Sequence, residues 1–276
     1  MNQCRKENHN KNWILNGNTK KICSGCVDLR LIDDDFMAAV FEDRTCAEFL
    51  LQIILKRDDL TVKEVHGQYS IKNLQGRSIR LDILAVDQKN RAYNIEVQRS
   101  DRGASEKRAR HNSSLLDANL TDAGDDYDAL NETYVIFITE NDVLKAGLPI
   151  YHVERTVQET GTVFNDQAHI VYVNSQIKDE TALGKLMHDF FCTNSKDMYY
   201  PVLANRVWYF KENEKGVATM CRAMEQMRDE TAAEQNIKTL LVSVKNLMKN
   251  MNLSPEQAMN AMGISEADRQ ALLQLL

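Results

Sequence analysis

The sequence predicts a mixed α/β sheet flanked by helices and followed by a helical extension. Apolar residues between 36 and 54 recur at helical spacing, whereas residues 79–98 alternate in the manner of two strands joined by a turn. The continuous apolar run 134–138 is typical of a strand that is covered on both faces. Strand signals stop after Trp208, and the remaining composition favours helices.

Three segments follow from this pattern: a polar segment at 1–30, an α/β domain at 31–225 and a helical extension at 226–276. A helix over 36–41 is followed by one near Thr45, where Thr45 and Glu48 fit a capping box. The later predicted elements are strands at 61–66, 68–74, 79–87 and 91–98, a helix at 101–120, strands at 134–138, 150–157 and 168–173, a helix from Asp179 to 191, and helices at 228–251, 255–262 and 265–276.

The composition indicates a soluble protein. The chain has 276 residues with 43% hydrophobic and 27% charged residues, and no apolar run approaches the roughly 20 residues of a spanning helix. Neither a signal peptide nor a disulfide framework is evident, so we expect a cytoplasmic protein without a membrane partner. A net charge of −6 does not by itself favour nucleic-acid binding, although part of the chain is locally basic.

The two strands 79–87 and 91–98 carry acidic residues where inert side chains would suffice. Asp82 lies on the first strand, and Glu96 and Gln98 share one face of the second, because side chains alternate with period two. In the right register the three would converge at the edge of the sheet. Carboxylate and carboxamide oxygens suit a hard cation such as Mg²⁺. Asp87, at the end of its strand, is expected to shape the turn.

The order of these motifs resembles the PD-(D/E)XK nuclease superfamily, and more closely the PD-(D/E)XK nuclease family transposases, or Rpn-type recombination-promoting nucleases. The resemblance covers about residues 30–230 and the short C-terminal helices. The segments that carry it are Asp34–Met37, Gly76–Asp82, Tyr93–Arg99, Lys107–Arg110, Tyr134–Glu140 and Gly147–Tyr151. It implies a restriction-endonuclease-like fold.

The same resemblance implies metal-dependent hydrolysis of DNA phosphodiesters, linked to recombination or mobile DNA. Mg²⁺, or Mn²⁺ in its place, would be bound by Asp82, Glu96 and the backbone carbonyl of Val97. Gln98 stands where the superfamily often has a lysine, and it would position the attacking water through hydrogen bonds. Glu48 is a weaker candidate ligand from the first helices, because the capping box would also account for it.

A basic cluster follows the Glu-x-Gln strand, and cations beside a metal site would bind the phosphates of DNA. An ordinary solvated helix face is the alternative, since Asp101 and Glu106 offset part of the charge. The candidate DNA-binding residues are Arg99, Arg102, Lys107, Arg108 and Arg110. Of these, Arg99 and Arg108 are favoured by their closeness to the predicted site.

Other readings stay open. The chain could be a DNA-binding or protein-interaction module on a degenerate nuclease fold. The apolar stripe of the C-terminal helices needs a partner, which would be the nuclease domain or a second copy in a homodimer. Cys23 and Cys26 form a CxxC pair, but the sequence offers no clear second pair for zinc. Cys192 and Cys221 resemble small buried apolar residues.

Overall fold

The computed structural model describes residues 13–16, 20–23, 28–71, 78–122 and 124–276, with the side chains of 13–16, 20–23, 101, 102, 230 and 234 left out. Arg102 and the pair Cys23 and Cys26 therefore lie outside the described side chains.

A six-stranded mixed sheet forms the centre of the fold. Its order is β3-β4-β5-β6-β8-β7, with β5, β6 and β8 parallel and the outer strands antiparallel. A separate two-stranded antiparallel pair, β1 and β2, precedes it. The strands are β1 (Trp13–Asn16), β2 (Lys20–Cys23), β3 (Val62–Ile71), β4 (Ile79–Asp87), β5 (Ala92–Gln98), β6 (Thr133–Thr139), β7 (Ile150–Val153) and β8 (Ala168–Asn174). The predicted mixed α/β sheet is confirmed.

Helices flank this sheet and then form the C-terminal part of the chain. They are α1 (Asp34–Phe41), α2 (Arg44–Leu55), α3 (Glu106–Leu120), α4 (Ala182–Asp189), α5 (Pro201–Glu212), α6 (Glu214–Met251), α7 (Pro255–Ala261) and α8 (Glu266–Leu273). None of the described helices is both long enough and apolar enough to cross a membrane.

The core lies between the sheet and the helices that cover it. β6 is buried along nearly its whole length, as its continuous apolar run predicts. β5 and β8 cover its edges, and α3 packs against it. Phe41 of α1 stacks on Phe190 just after α4, with ring centroids 5.7 Å apart. α1 also packs against β3, β4 and β5 of the sheet.

Several element boundaries differ from the predictions. The capping box of Thr45 and Glu48 is wrong: Asp43 is the N-cap of α2, and its carboxylate accepts hydrogen bonds from the backbone N–H groups of Thr45 and Cys46. Thr181, rather than Asp179, caps α4. The long helix begins at Glu214, well before the predicted start at 228.

The chain divides into two compact units, the described residues up to Ala218 and Thr219–Leu276. The second unit has a core of its own, in which Val244 of α6 packs with Met259 of α7 and Leu272 of α8. A capping box does occur here, between Ser254 and Gln257 at the start of α7. The segment boundaries at 30 and 225 stay predictions.

Candidate functional site

The candidate site lies where β4 and β5 separate. Their ladder pairs Ile83 with Ile95 and continues towards the turn. Beyond it, the Asp82 carboxylate accepts a hydrogen bond from the backbone N–H of Val97 at 3.0 Å, and the Glu96 carboxylate accepts one from the backbone N–H of Asp82 at 3.4 Å. Each acidic side chain therefore reaches across to the other strand, and the structure brings together the two carboxylates that the sequence singled out.

The strand on the other side of β4 is irregular at the same level. Gly67 pairs with Ile83 and Tyr69 pairs with Leu81, so Gln68 faces Asp82 without a ladder partner. Gln68 has φ 51°, in the left-handed region. The register is the same before and after Gln68, so no extra residue is inserted, and the unusual feature is the positive φ of a non-glycine residue. The ladder between β4 and β5 thus ends before Asp82, whereas the ladder between β3 and β4 continues past it.

Burial makes the two carboxylates electrostatically costly. Glu96 is fully buried and Asp82 is half-buried. Burial, followed by repulsion from Glu96, raises the pKa of Asp82 well above its usual value, which the Val97 N–H offsets only in part. Burial also raises the pKa of Glu96, although Asn94 and Arg108 act in the opposite direction. A pair of this kind favours a bound cation.

A third carboxylate approaches from α1. Asp34 raises the pKa of both Asp82 and Glu96 through its charge, and partial desolvation together with Asp35 raises the pKa of Asp34 itself, although its side chain is exposed to solvent. Asp34 is not among the site residues that the sequence predicts. Acidic residues are common in the first turn of a helix, where they interact favourably with the helix dipole. The only sequence signal for Asp34 is therefore its place in the segment Asp34–Met37, which is part of the family resemblance.

Glu48 lies elsewhere. Its carboxylate accepts a hydrogen bond from the backbone N–H of Val62 at 2.8 Å and thereby joins α2 to the start of β3. Val62 pairs with Asp87, at the far end of β4 from Asp82. Five residues of strand span roughly 17 Å, so Glu48 is remote from the pair formed by Asp82 and Glu96. Glu48 accordingly leaves the candidate ligand set.

Arg108 of α3 forms hydrogen bonds with two residues of the candidate site, Glu96 and Gln98. Its Nη2 donates to Glu96 Oε2 at 2.8 Å, and its Nη1 donates to Gln98 Oε1 at 3.3 Å and to the carbonyl of Gly103 at 2.8 Å. The guanidinium therefore fixes the side-chain carbonyl of Gln98 beside Glu96. Arg108, which the sequence favoured as a DNA contact, is a counter-ion of Glu96 in this structure.

The other described basic residues of the predicted set are exposed and differ in their ion pairs. Arg99 forms ion pairs with Asp33 at 3.0 Å and Glu140 at 3.1 Å, and these carboxylates raise its pKa. Lys107 and Arg110 are exposed on α3. Arg99 is exposed as well, but two carboxylates offset its charge, whereas Lys107 and Arg110 form no ion pair with a residue that the structure describes.

A second cluster of ligand-type side chains occurs at the end of α4, where His188, Asp189 and Cys192 bring one ligand atom each within 4.8 Å of one another. Cys192 is half-exposed and not buried, as is Cys221, which corrects the prediction for both. Asp189 already accepts hydrogen bonds from the backbone N–H groups of Tyr199 and Tyr200. Burial raises the pKa of Cys192 to about 11, which disfavours the thiolate that a metal requires. This cluster therefore fits a loop brace better than a metal site.

Comparison with known proteins gives one match. The family model described as PD-(D/E)XK nuclease family transposase matches residues 46–188. The matched range includes Asp82, Glu96, Gln98 and Arg108, whereas Asp34 precedes it. The mixed sheet with its flanking helices agrees with the restriction-endonuclease-like fold of that family. No match was found among curated proteins or among solved structures.

Proposed function

Because the chain belongs to the PD-(D/E)XK nuclease family transposases, we propose that it is a Mg²⁺-dependent DNA endonuclease that hydrolyses phosphodiester bonds in recombination or in the movement of mobile DNA. The observation that carries the proposal is the pair of desolvated carboxylates, Asp82 and Glu96, held between separating strands. The cytoplasm remains the expected location.

The donor set fits a hard divalent cation. Asp82 uses Oδ2 for the Val97 N–H, and its Oδ1 has no hydrogen bond to any described residue. The N–H and C=O of one residue in a strand face the same neighbour, so the carbonyl of Val97 faces the Asp82 side as well. Asp82, Glu96 and the Val97 carbonyl would hold the ion, and Asp34 adds negative charge from α1. A bound Mg²⁺, or Mn²⁺, supplies Lewis acidity towards the phosphate and lowers the pKa of a bound water.

Gln98 and Arg108 would divide the work that a lysine does elsewhere in the superfamily. The Gln98 amide can orient a water by hydrogen bonding but cannot remove its proton. Arg108, 3.3 Å from Gln98 Oε1, supplies a fixed positive charge at this point of the site. A guanidinium stays protonated at any working pH, so this charge stabilises anionic groups without acting as a base.

The proposed DNA contacts are to phosphates. Lys107 and Arg110 offer exposed charges on α3, and Arg99, Arg102 and Arg108 complete the set proposed from the sequence. Phosphate contacts position the duplex but do not read its bases, so we expect cleavage with little sequence preference.

Plasmid cleavage and metal binding test the proposal together. We expect the protein to nick or linearise plasmid with Mg²⁺ or Mn²⁺ and to stop when EDTA is added. Asp82→Asn and Glu96→Gln should lower the rate by roughly 10²–10³-fold, the scale of losing one preorganised electrostatic group. Mg²⁺ at 100 times its Kd should raise the free energy of unfolding of the wild type by about 2.7 kcal/mol and thereby raise its Tm. The Tm of Asp82→Asn should not rise.

Asp58→Asn is the matched control, because Asp58 is an exposed carboxylate in the turn between α2 and β3. It should cleave DNA and respond to Mg²⁺ as the wild type does. A protein that shifts DNA on a gel without cutting it would be a DNA-binding module on a degenerate nuclease fold. A protein that does neither would point to a protein-interaction role.

We also propose that the C-terminal helices form a homodimer contact. Val242, Met251 and Leu273 are exposed apolar side chains of the second unit. Apolar groups on a helix surface gain free energy when a partner covers them. Light scattering should show that the wild type is a dimer and that Val242→Asp is a monomer. A monomeric wild type would refute the contact.

A further inference from the structure

Two asparagines are buried at positions where apolar residues would be expected. Asn94 is fully buried in β5, a strand whose side chains are almost all buried. Asn112 is 2% exposed and lies on the buried face of α3, between Ala109 and Leu116. Burial of a polar side chain destabilises a protein unless hydrogen bonds satisfy it. The hydrogen-bond partners of these two amides therefore indicate what the amides do.

The Asn94 amide links the Glu96 carboxylate to α3. An ionised carboxylate can only accept hydrogen bonds, so Asn94 Nδ2 donates to Glu96 Oε1 at 2.9 Å. Asn94 Oδ1 then faces Asn112, whose Nδ2 donates to it at 3.2 Å. If the Asn94 amide turned over, its oxygen would face the carboxylate and its NH₂ group would face the Asn112 donor. The hydrogen bond from Asn112 therefore keeps the Asn94 amide in the orientation that Glu96 requires.

Asn112 makes this hydrogen bond although its own amide is only half satisfied. Its Oδ1 is buried and has no hydrogen-bond partner in the described part of the chain. A leucine of similar shape would avoid the unsatisfied acceptor and would also favour the helix. The amide at residue 112 is thus explained by the donor that it presents to Asn94, and not by the stability of α3.

Both oxygens of the Glu96 carboxylate are held by the protein. Oε1 accepts from Asn94 and from the backbone N–H of Asp82, and Oε2 accepts from Arg108. We propose that Asn94 and Asn112 are positioning residues, which form a buried amide relay from α3 and hold the Glu96 carboxylate in one orientation for the cation. The proposal rests on the metal site of the proposed nuclease function. Removal of a group that orients a metal ligand typically weakens metal binding by roughly 10–100-fold.

Binding of Mn²⁺ to the full chain without DNA tests the relay, and the EPR signal of free Mn²⁺ measures it. Asn94→Leu should raise the Kd of Mn²⁺ by roughly 10–100-fold. Asn112→Leu fills similar space without a donor and should raise the Kd by about five-fold, the effect of one hydrogen bond. The double variant should bind Mn²⁺ no more weakly than Asn94→Leu does, because Asn112 acts only through Asn94.

Ser113→Ala is the matched control, because Ser113 is also buried on α3 and follows Asn112 directly. It should keep the wild-type Kd. Urea unfolding of the same variants separates positioning from stability. The double variant removes both ends of the bond between the amides, so it should be more stable than Asn94→Leu although it binds Mn²⁺ as weakly. A merely structural role would change the free energy of unfolding and leave the Kd of the folded protein unchanged.

Two outcomes would overturn the relay and leave metal binding and the nuclease function standing. One is an Asn112→Leu variant with the same Kd as Ser113→Ala. The other is a double variant whose Kd rises by the product of the two single effects. If the predicted changes in Kd occur but the wild type cuts no plasmid, the nuclease function is refuted and the relay stands. A wild type that binds no Mn²⁺ would refute the metal site and the relay together.

Discussion

At the scale of single residues, Asp87 shows how a buried carboxylate can be fully satisfied by the protein. Its Oδ1 accepts hydrogen bonds from the backbone N–H groups of Lys89 and Arg91, and its Oδ2 accepts from Arg91 Nε at 2.7 Å and Tyr93 Oη at 2.9 Å. Burial alone would raise the pKa of Asp87, but the bonds from Arg91, Tyr93 and Lys89 outweigh it and lower the pKa below the usual 3.8. Asp87 shapes the turn between β4 and β5, as the sequence predicts.

We predict that Asp87→Asn lowers the free energy of unfolding at pH 7 by about 2 kcal/mol, the scale of hydrogen bonds to a charged group. A lowered folded-state pKa means that the native state favours the charged form. Its contribution is present above about pH 4 and is lost as pH falls through the folded-state pKa. The gap between the wild type and Asp87→Asn in urea unfolding should therefore narrow from pH 7 towards pH 3. A gap that does not change with pH would contradict the assignment.

The sequence identifies the site residues that depend on local pairing but misses those that depend on how helices pack on the sheet. The alternation of side chains along the strands and the turn between them suffice to place Asp82 near Glu96. Both features are determined by residues that are close in the chain. Asp34 and the pairing of Arg108 with Glu96 depend on how α1 and α3 dock on the sheet, and no local pattern contains that information. The buried carboxylate of Glu96 needs a counter-ion. Arg108, which the sequence predicted as a DNA contact, forms that ion pair.

At the scale of elements, the backbone of the segment between β5 and α3 passes close to the side chain of Gln98. The residues from Asp101 to Ala104 form a short 3₁₀ turn, where the sequence predicted the start of the helix. A Cβ atom on Gly103 would lie 1.8 Å from Gln98 Oε1. A side chain at residue 103 would therefore have to displace the amide at the end of the Gln98 side chain.

We predict that Gly103→Ala displaces the Gln98 amide and slows plasmid cleavage by roughly 10–100-fold, since small misplacements at a reacting centre have effects of this size. The Mg²⁺-induced rise in Tm should persist, because Asp82 and Glu96 are not touched. Gly67→Ala is the control, because its added methyl would meet only the Glu42 side chain at 3.7 Å. Cleavage by Gly103→Ala at the wild-type rate would remove Gln98 from the mechanism.

Strand and helix limits were predictable where turn chemistry is local. The strand 79–87 matches β4, and the strand 91–98 agrees with β5 within one residue at its start. The predicted strands 61–66 and 68–74 form one strand, β3, because the ladder continues past the left-handed Gln68. The left-handed φ of Gln68 lies next to the break predicted at residue 67, but the pairing of β3 with β4 keeps one register across it.

At the scale of the whole molecule, the mixed α/β sheet was predictable because hydrophobic patterns report which faces are buried. The division into compact units depends instead on contacts between distant residues. Asn213 ends α5, and its side chain accepts hydrogen bonds from the backbone N–H groups of Lys215 and Gly216 at the start of α6. Asn is a favoured N-cap residue, so the start of the long helix has a local signal that the predicted start at 228 overlooked. The structure places a separate hydrophobic cluster around Val244 in the second unit.

Because each unit has its own hydrophobic core, we predict that a mutation that unfolds the second unit leaves metal binding at the candidate site unchanged. Val244 is fully buried, whereas Val242, two residues earlier on the same helix, is 60% exposed. Val244→Asp places a charge in the second core, which costs several kcal/mol, and should open residues 219–276 to trypsin. Val242→Asp should resist trypsin as the wild type does. We expect the Mg²⁺-induced rise in Tm of the first unit to be unchanged in both variants. If Val244→Asp loses that rise while Val242→Asp keeps it, the second core supports the metal site, and the two units act as one.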